Sequence, residues 1–545
     1  MNKAPIAALL VLALFSACAK PGADPQASEP QGGDPYVSSA QRTTVQTDAG
    51  QLIGSLHAGI YNFRGVPYAQ AERFMMPRPA ASWDGIRPAV TYGEICHNPP
   101  MDSVANDELF NPHRYGAKSE DCQFLNVWTP SISDDKRRPV MVWLHGGGFT
   151  NGSSIEMLSY DGENLSNKGD VVVVTLNHRL NVLGFLDLSA YGEKYQYSGN
   201  VGMADIVVAL EWVQANIEQF GGDPANVTIF GQSGGGSKVR TMMGLPAADG
   251  LFHKAIVQSG ATSAPVQHEQ AAARRVAELT LEILGLSVEQ LASVPYDDLI
   301  EASTQATDRV RDEGQFASVG WRPVVDGDYL PANPVDEEWV AQASDIPLLI
   351  GTVLNESNTV TGGHKPGDLL ADNKNNWSDD HARAKLAKRF GDKADAVAVA
   401  FLKAYPQKSL ADAYFVDTRS RPGTAKNTLL KAKQGGAPVY SYVFAWESPV
   451  MDGIGMSWHC SEIPHVFSNA TLVPTATGGG PDAQAMSHKV SQAWINFARF
   501  GDPGHEDLPD WPAYTVDGGA TMIFDNVSEV RNHHDRELFE LVAAL

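Results

Sequence analysis

The sequence predicts an α/β fold, with a large, mostly parallel central sheet, helices on both faces and long loop insertions. Three observations lead there. Short apolar runs, several of them valine-rich, recur at residues 140–144, 171–175, 227–230, 254–258, 346–350 and 439–445, and such runs read as strands buried on both faces. Helical patterns lie between them, and strands alternating with helices build a parallel sheet covered on two sides. No linker-like stretch interrupts residues 45–545, so the body reads as one domain although 545 residues could hold several.

In chain order, residues 1–17 read as an export signal. Lys3 precedes an apolar stretch at residues 4–15, which falls short of the roughly 20 residues that span a bilayer. Leu14-Phe15-Ser16-Ala17-Cys18 resembles a bacterial lipobox, which would make Cys18 the lipidated first residue of the mature chain. Cleavage after Ala19 is the alternative. Residues 18–42, rich in Pro, Gly, Gln, Ser and Asp, cannot repay the entropy of ordering and read as a tether. Such a tether reaches about 25–30 Å root-mean-square. The body is then residues 43–545. Within it, Met203, Ile206, Val207, Leu210, Val213 and Ile217 form an apolar stripe at helical spacing. A long helix over 482–500 stops at Gly501, with Pro503 just beyond. Residues 361–380 and 471–482 read as long loops.

Composition excludes several functions. With 41 Lys plus Arg against 64 Asp plus Glu, the formal charge is −23. That argues against nucleic acid as a partner and against adhesion to anionic lipid through surface charge. Membrane attachment is expected only through the N-terminal lipid. The four cysteines, Cys18, Cys96, Cys122 and Cys460, are too few for a disulfide scaffold and fit no zinc ribbon.

The chemistry centres on residues 227–236. A β-branched strand runs into Gly231-Gln232-Ser233-Gly234-Gly235, and a helix-compatible stretch follows at 237–243. Between a strand and a helix, G-x-S-x-G is a nucleophile elbow, which lifts the serine oxygen to the top of the sheet. Ser233 is expected at positive φ, so the positions two before and two after it must be tiny, as Gly231 and Gly235 are. The helix behind it favours developing negative charge at its N-terminus.

A second glycine run follows another strand, at His145-Gly146-Gly147-Gly148-Phe149. Consecutive glycines let backbone N–H groups point inward, and a tetrahedral intermediate needs such donors about 3 Å from its oxyanion. Gly147, Gly148 and Gly234 are the candidate donors. His145 sits ahead of them and reads as structural. The serine needs a base, and the base an orienting acid. In an elbow fold the acid follows a later strand and the histidine the last one. Glu356 follows the strand at 346–350, whereas Asp345 precedes it and is poorly placed. The strand at 439–445 leads to His459 and His465, and placement alone allows either as base. This chemistry requires neither metal nor organic cofactor.

Further motifs span the body. They include Phe63-Arg64-Gly65-Val66-Pro67-Tyr68-Ala69, Glu120-Asp121-Cys122, Asn177-His178-Arg179 and Gly199-Asn200-Val201-Gly202. Later come Phe220-Gly221-Gly222-Asp223-Pro224, Pro323-Val324-Val325-Asp326-Gly327 and His459-Cys460-Ser461-Glu462-Ile463. Together with the elbow and the glycine loop they resemble the cholinesterase-type (type B) carboxylesterase family, of α/β-hydrolase fold, and within it bacterial lipoprotein-like members of the para-nitrobenzyl-esterase kind. The resemblance implies a serine carboxylesterase working through a Ser233, Glu356 and His459 triad, with His465 left to packing. It also implies a Cys96–Cys122 disulfide, contributing about 3–4 kcal/mol by loop entropy. It pairs Arg64 with Glu120 and Arg179 with Asp205 as structural ion pairs. Cys460, beside His459, reads as a packed thiol, with a redox switch as the alternative.

The chain departs from the family pattern where substrate specificity is set. Gln232 stands where Glu is common beside the nucleophile. The segment between Cys96 and Cys122 holds no Trp to grip a quaternary ammonium, so choline esters are not the expected substrates. Residues 261–266 also lack Trp, which suggests a roomy acyl pocket walled partly by Val266, with Phe149 and Gln232 as further pocket residues. The expected substrates are small-molecule or polymeric esters. The alternatives are a polyester, lipid or other acyl hydrolase of the same mechanism, or a non-catalytic binding relative. The expected location is the cell envelope, lipid-anchored, with a soluble periplasmic or secreted form as the alternative.

Overall fold

The computed structural model describes residues 35–100, 106–262, 267–316, 318–356 and 370–543. The export signal, Cys18 and most of the tether lie outside the described residues. The apolar runs become strands of one large sheet, because β-branched side chains pack well on a pleated surface. In chain order its strands are β1 (Ser55–His57), β2 (Ile60–Pro67), β3 (Phe124–Thr129), β4 (Arg138–Leu144), β5 (Val172–Leu176) and β6 (Gly222–Gln232). They continue with β7 (Lys254–Gln258), β8 (Leu348–Val353), β9 (Val439–Phe444), β10 (Ala520–Phe524) and β11 (Glu529–Asn532). Across the sheet the order is β11-β10-β9-β8-β7-β6-β4-β5-β3-β2-β1. The block from β10 to β5 is parallel throughout, and antiparallel strands close both edges.

The helices that matter for the site are α1 (Val201–Asn216), α2 (Gly234–Met243), α3 (Gln270–Leu284), α4 (Tyr296–Asp312), α5 (Ser420–Gln434) and α6 (Pro481–Phe500). Alternation along β4 divides the core in two, since successive side chains point to opposite faces. Val140, Val142 and Leu144 pack with Met203, Ile206 and Leu210 of α1 and with Val239 and Met242 of α2. Met141 and Trp143 pack with Val490, Ala493 and Trp494 of α6. The predicted stripe on α1 understates its burial: Ala204, Asp205 and Trp212 are buried too, because elements pack on more than one side of it. Helix α6 ends as its sequence indicates, at a left-handed Gly501 with φ 77°.

Several boundaries and pairings differ from expectation. The tether was placed through Arg42, yet the chain is already tied to the sheet at Val37, which exchanges backbone hydrogen bonds of 2.9 and 2.7 Å with Leu56. The segment 471–482 is shorter as a loop than expected, because a helical turn at Pro474–Thr477 and the start of α6 at Pro481 fall inside it. Of the segment 361–380, residues 361–369 lie outside the described residues, and the helix Asp379–Phe390 begins within it. Cys96 and Cys122 are disulfide-bonded, as the family resemblance implies. The expected Arg64–Glu120 pair is corrected. Glu120 binds Arg73 instead, with Nε donating at 2.6 Å, while Arg64 lies 4.9 Å over the Tyr92 ring and 4.0 Å from Asp161. Two arginines compete for one carboxylate, and Arg73 reaches it.

The Arg179–Asp205 pair forms as expected. Nε and Nη2 of Arg179 donate to the carboxylate at 2.9 and 2.7 Å, and the backbone N–H of Arg179 adds a third bond at 2.9 Å. Both side chains are buried, at 4% and 0% exposure. Removing one partner of such a pair leaves an uncompensated buried charge. Asp205→Ala should therefore lower unfolding stability by about 3–5 kcal/mol, read as a fall in urea midpoint with the slope unchanged.

Candidate active site

The parallel registers align the strand ends that build the site. Gly231 lies opposite Leu144, Gln232 opposite Gln258, and Gln258 opposite Gly351, so β4, β6, β7 and β8 finish at one edge. Ser233 follows β6 at φ 56°, ψ −122°, and its N–H donates to the Gln258 carbonyl at 2.8 Å. The two flanking glycines are required sterically. A Cβ on Gly235 would lie 1.9 Å from the Leu144 carbonyl oxygen, and one on Gly231 would lie 2.6 Å from both that oxygen and the Gly235 carbonyl carbon. Helix α2 starts at Gly234, three residues ahead of the stretch the sequence suggested, so the glycine run forms its first turn.

The glycine loop after β4 sits beside the elbow. Gly147 and Gly148 take φ of 80° and 64°. Among the described residues, the N–H groups of Gly147, Gly148 and Gly234 donate to no protein atom. Lys238, on α2 behind the elbow, donates its Nζ to the His145 carbonyl at 2.8 Å and lies 5.9 Å from the Phe149 ring. It thereby ties the loop to the nucleophile helix. Its ammonium is fully buried, and burial brings its pKa down to about 7, against the opposing pull of Glu156. Nothing in the sequence pattern singles out this lysine. His145 is buried beneath the loop, with Nδ1 2.9 Å from the Gly146 carbonyl, and its ring stacks on His178. Burial first, then Lys238, hold it well below the usual histidine range.

Glu356 and His459 are brought together by a single bridge beyond the sheet. Asn355 pairs with Trp458 in parallel fashion, and the Asn355 N–H donates to the Ser457 carbonyl at 3.1 Å. The next residues of the two segments therefore lie abreast. His459 Nδ1 hydrogen-bonds the Glu356 carboxylate. The other carboxylate oxygen of Glu356 accepts the Val353 N–H at 3.2 Å. Trp458 is buried against Phe110, ring centroids 4.8 Å apart, which anchors the histidine loop. Asp345 is exposed ahead of β8, away from this end of the sheet. His465 is fully buried beside Phe444 and Trp446, and burial lowers its pKa to about 3, so it is a packing residue.

A cavity of about 960 Å³ opens over these strand ends, and Ser233, His459, Glu356, Gly148, Gly234 and Phe149 all line it. Among the expected pocket residues, Phe149 is in place and Val266 lies outside the described residues. Gln232 is a correction. It is 1% exposed, and its amide nitrogen lies 3.3 and 3.4 Å from the two ring nitrogens of His459. Its carbonyl oxygen accepts from Cys460 Sγ at 3.2 Å. Gln232 thus backs the imidazole instead of facing substrate, because the last strand residue before the elbow points down into the protein. Cys460 is a buried, packed thiol.

The full-length comparisons agree with one another. Residues 41–540 match the model of the carboxylesterase family. The chain is 35% identical over 505 residues to para-nitrobenzyl esterase of Bacillus subtilis (strain 168), covering 90% of this chain and 97% of that one. It is 33% identical over 507 residues to phenmedipham hydrolase of Pseudarthrobacter oxydans, covering 88% and 95%. Among solved structures it is similar to an esterase from anaerobic Clostridium hathewayi that can hydrolyse aliphatic aromatic polyesters. That match has a TM-score of 0.86 and 40% identity, and covers 94% of this chain and 100% of that one.

A second carboxylate stands behind the pair. Glu462 is fully buried and accepts from Gln258 Nε2 at 3.2 Å. Burial first, and then the charge of Glu356, raise its pKa from 4.5 to about 7. The folded state holds this proton more tightly than the unfolded chain does. Its contribution to stability is therefore complete below about pH 4.5 and is lost as pH rises to about 7, a loss of roughly 3 kcal/mol. Glu462→Gln should abolish that decline. The stability of the variant relative to wild type should improve between pH 4.5 and pH 8, measured by urea unfolding at both values.

Proposed function

The chain belongs to the carboxylesterase family and is a carboxylic ester hydrolase, and we propose that it works through a Ser233, His459 and Glu356 triad with an oxyanion hole made by Gly147, Gly148 and Gly234. One observation carries this reading. A serine on a left-handed elbow, a histidine bonded to a buried carboxylate, and unused N–H donors converge on one cavity.

The steps of this reading are those of serine acyl transfer. Ser233 Oγ attacks the ester carbonyl carbon while His459 Nε2 takes its proton. Glu356 fixes the imidazole through Nδ1 and stabilises the imidazolium. The carbonyl oxygen becomes an oxyanion on the free N–H groups, in a site where fixed donors cost no reorganisation. His459 then gives its proton to the leaving alkoxide oxygen as the C–O bond breaks, which leaves an acyl-Ser233. Water repeats the sequence: His459 takes its proton, hydroxide adds to the acyl carbon, and Ser233 leaves with that proton as the acid is freed. Lys238 holds the His145 carbonyl and so positions the donor loop.

We also read residues 1–17 as a cleaved signal, Cys18 as the lipid attachment and the tether as the connection to a single catalytic body. The size of the cavity, and the likeness to an esterase that accepts aliphatic aromatic polyesters, support bulky or polymeric esters among the substrates.

Four experiments test these readings. Ser233→Ala should lower kcat/KM on para-nitrophenyl butyrate at least about 10⁴-fold and abolish the acyl-enzyme burst. Glu356→Gln should lower kcat about 10⁴-fold by losing the correct tautomer of the base. Near wild-type turnover in either variant would refute the assignment. In a panel of acetate, butyrate and benzoate esters the wild type should accept all three, and sharp selectivity for acetate would sink the roomy pocket. For the anchor, wild type expressed in a bacterial host should incorporate a clickable palmitate analogue and Cys18→Ser should not; equal labelling of the two would remove Cys18 from that role.

A further inference from the structure

The wall of the same cavity carries two guanidinium groups that the triad does not use, those of Arg322 and Arg419. Each stands on a fixed backbone. Arg322 precedes the strand Val324–Val325, which pairs in parallel with His268–Glu269. Asn200 grips Val324 there, donating to its carbonyl and accepting its N–H, both at 2.9 Å. Arg419 stands at the start of α5. The buried Asp417 accepts the backbone N–H groups of Arg419, Ser420 and Arg421 at 2.9, 3.2 and 2.5 Å. That carboxylate is thereby committed to the helix end and not to the guanidinium. Among the described residues the Arg419 side chain makes no hydrogen bond or ion pair.

The electrostatics of this wall run against those of the molecule. The whole chain carries −23, so its long-range field repels anions, yet two arginines line the reaction cavity. Burial first, then the positive charges of Arg419 and Arg311, hold the Arg322 guanidinium below the usual arginine range. Arg322 is half-buried and Arg419 exposed, and an anion beside them would be attracted to both. A guanidinium fork fits a carboxylate with two parallel hydrogen bonds, and it keeps its charge at any pH the enzyme meets. Glu269, also on this wall, is exposed to solvent, and Glu356 is engaged by His459.

We infer that this enzyme takes esters that carry a free carboxylate, with the scissile carbonyl at Ser233 and the distal carboxylate held by Arg322 and Arg419. The inference rests on the serine-esterase reading of the cavity and adds the substrate class. Half-esters of dicarboxylic acids would place the carboxylate on the acyl side. Esters of hydroxybenzoic acids would place it on the alcohol side.

The test is a ratio of kcat/KM values at pH 8 in each of two arms. One arm compares mono-para-nitrophenyl glutarate with para-nitrophenyl pentanoate, and the other compares para-acetoxybenzoate with para-tolyl acetate. Intrinsic reactivity cancels when the anionic-to-neutral ratio of a variant is divided by that of wild type. In at least one arm, Arg419→Gln should lower this ratio about tenfold or more, the scale of one charge-assisted hydrogen bond. Arg419→Glu should lower it further, and the loss should appear as a rise in KM for the anionic ester. Arg322→Gln should act in the same arm. Should that variant fail to fold, the two Arg419 variants decide, because the Arg419 side chain supports no other described group. Ratios unchanged in both arms for both Arg419 variants would overturn the inference. An acyl-enzyme burst with para-nitrophenyl pentanoate, lost in Ser233→Ala, would show that the esterase reading survives even then.

Discussion

A serine held at φ 56° between glycines that admit no side chain is the constraint on which the rest of the site depends. Such a backbone costs on the order of 1–3 kcal/mol and persists only where its surroundings over-determine it. Here the parallel sheet does so. The Ser233 N–H is spent on β7, Gly231 is pressed against the end of β4, and α2 starts at the very next residue. The same close approach that forbids a side chain at Gly235 brings the glycine loop after β4 beside the nucleophile. The strain and the unused glycine N–H groups beside Ser233 are thus consequences of one packing arrangement.

What the sequence makes legible follows from this. Elbow, glycine loop and strand ends are each written in consecutive residues, because each answers a local backbone need. The acid was legible by its position after a strand. Placement left two histidines open, and burial separates them: His465 sits among aromatic rings, while His459 reaches the cavity. What escaped depends on distances between remote segments. No local pattern tells which of Arg64 and Arg73 reaches Glu120, or that Lys238 spans to the His145 carbonyl. The placement of Gln232 escapes for a similar reason. Its neighbour in sequence faces substrate, but alternation along β6 turns Gln232 the other way. Composition alone makes the tether too long, because it cannot reveal that Val37 has a strand to pair with.

His459 is positioned without a regular element of its own. The loop after β9 is irregular, with left-handed residues at Met451, Asp452, Met456 and Cys460. One bridge at Asn355–Trp458, backed by a fully buried indole, transmits the order of the sheet to His459. This explains how a histidine far along the chain meets an acid that follows β8.

Behind the imidazole the charges are graded. Glu356, Glu462 and Asp417 converge there, and burial with the field of Glu356 raises the pKa of both of the others. Ionised carboxylates in that space repel one another. A further acid at position 232 would add to that repulsion, since that side chain lies against the imidazole ring itself. The neutral Gln232 instead supports the imidazole with an amide and receives the Cys460 thiol on its other end. The departure from the common glutamate therefore sets a neutral amide, not a charge, against His459, while Arg322 and Arg419 bring positive charge to the lining of the same cavity.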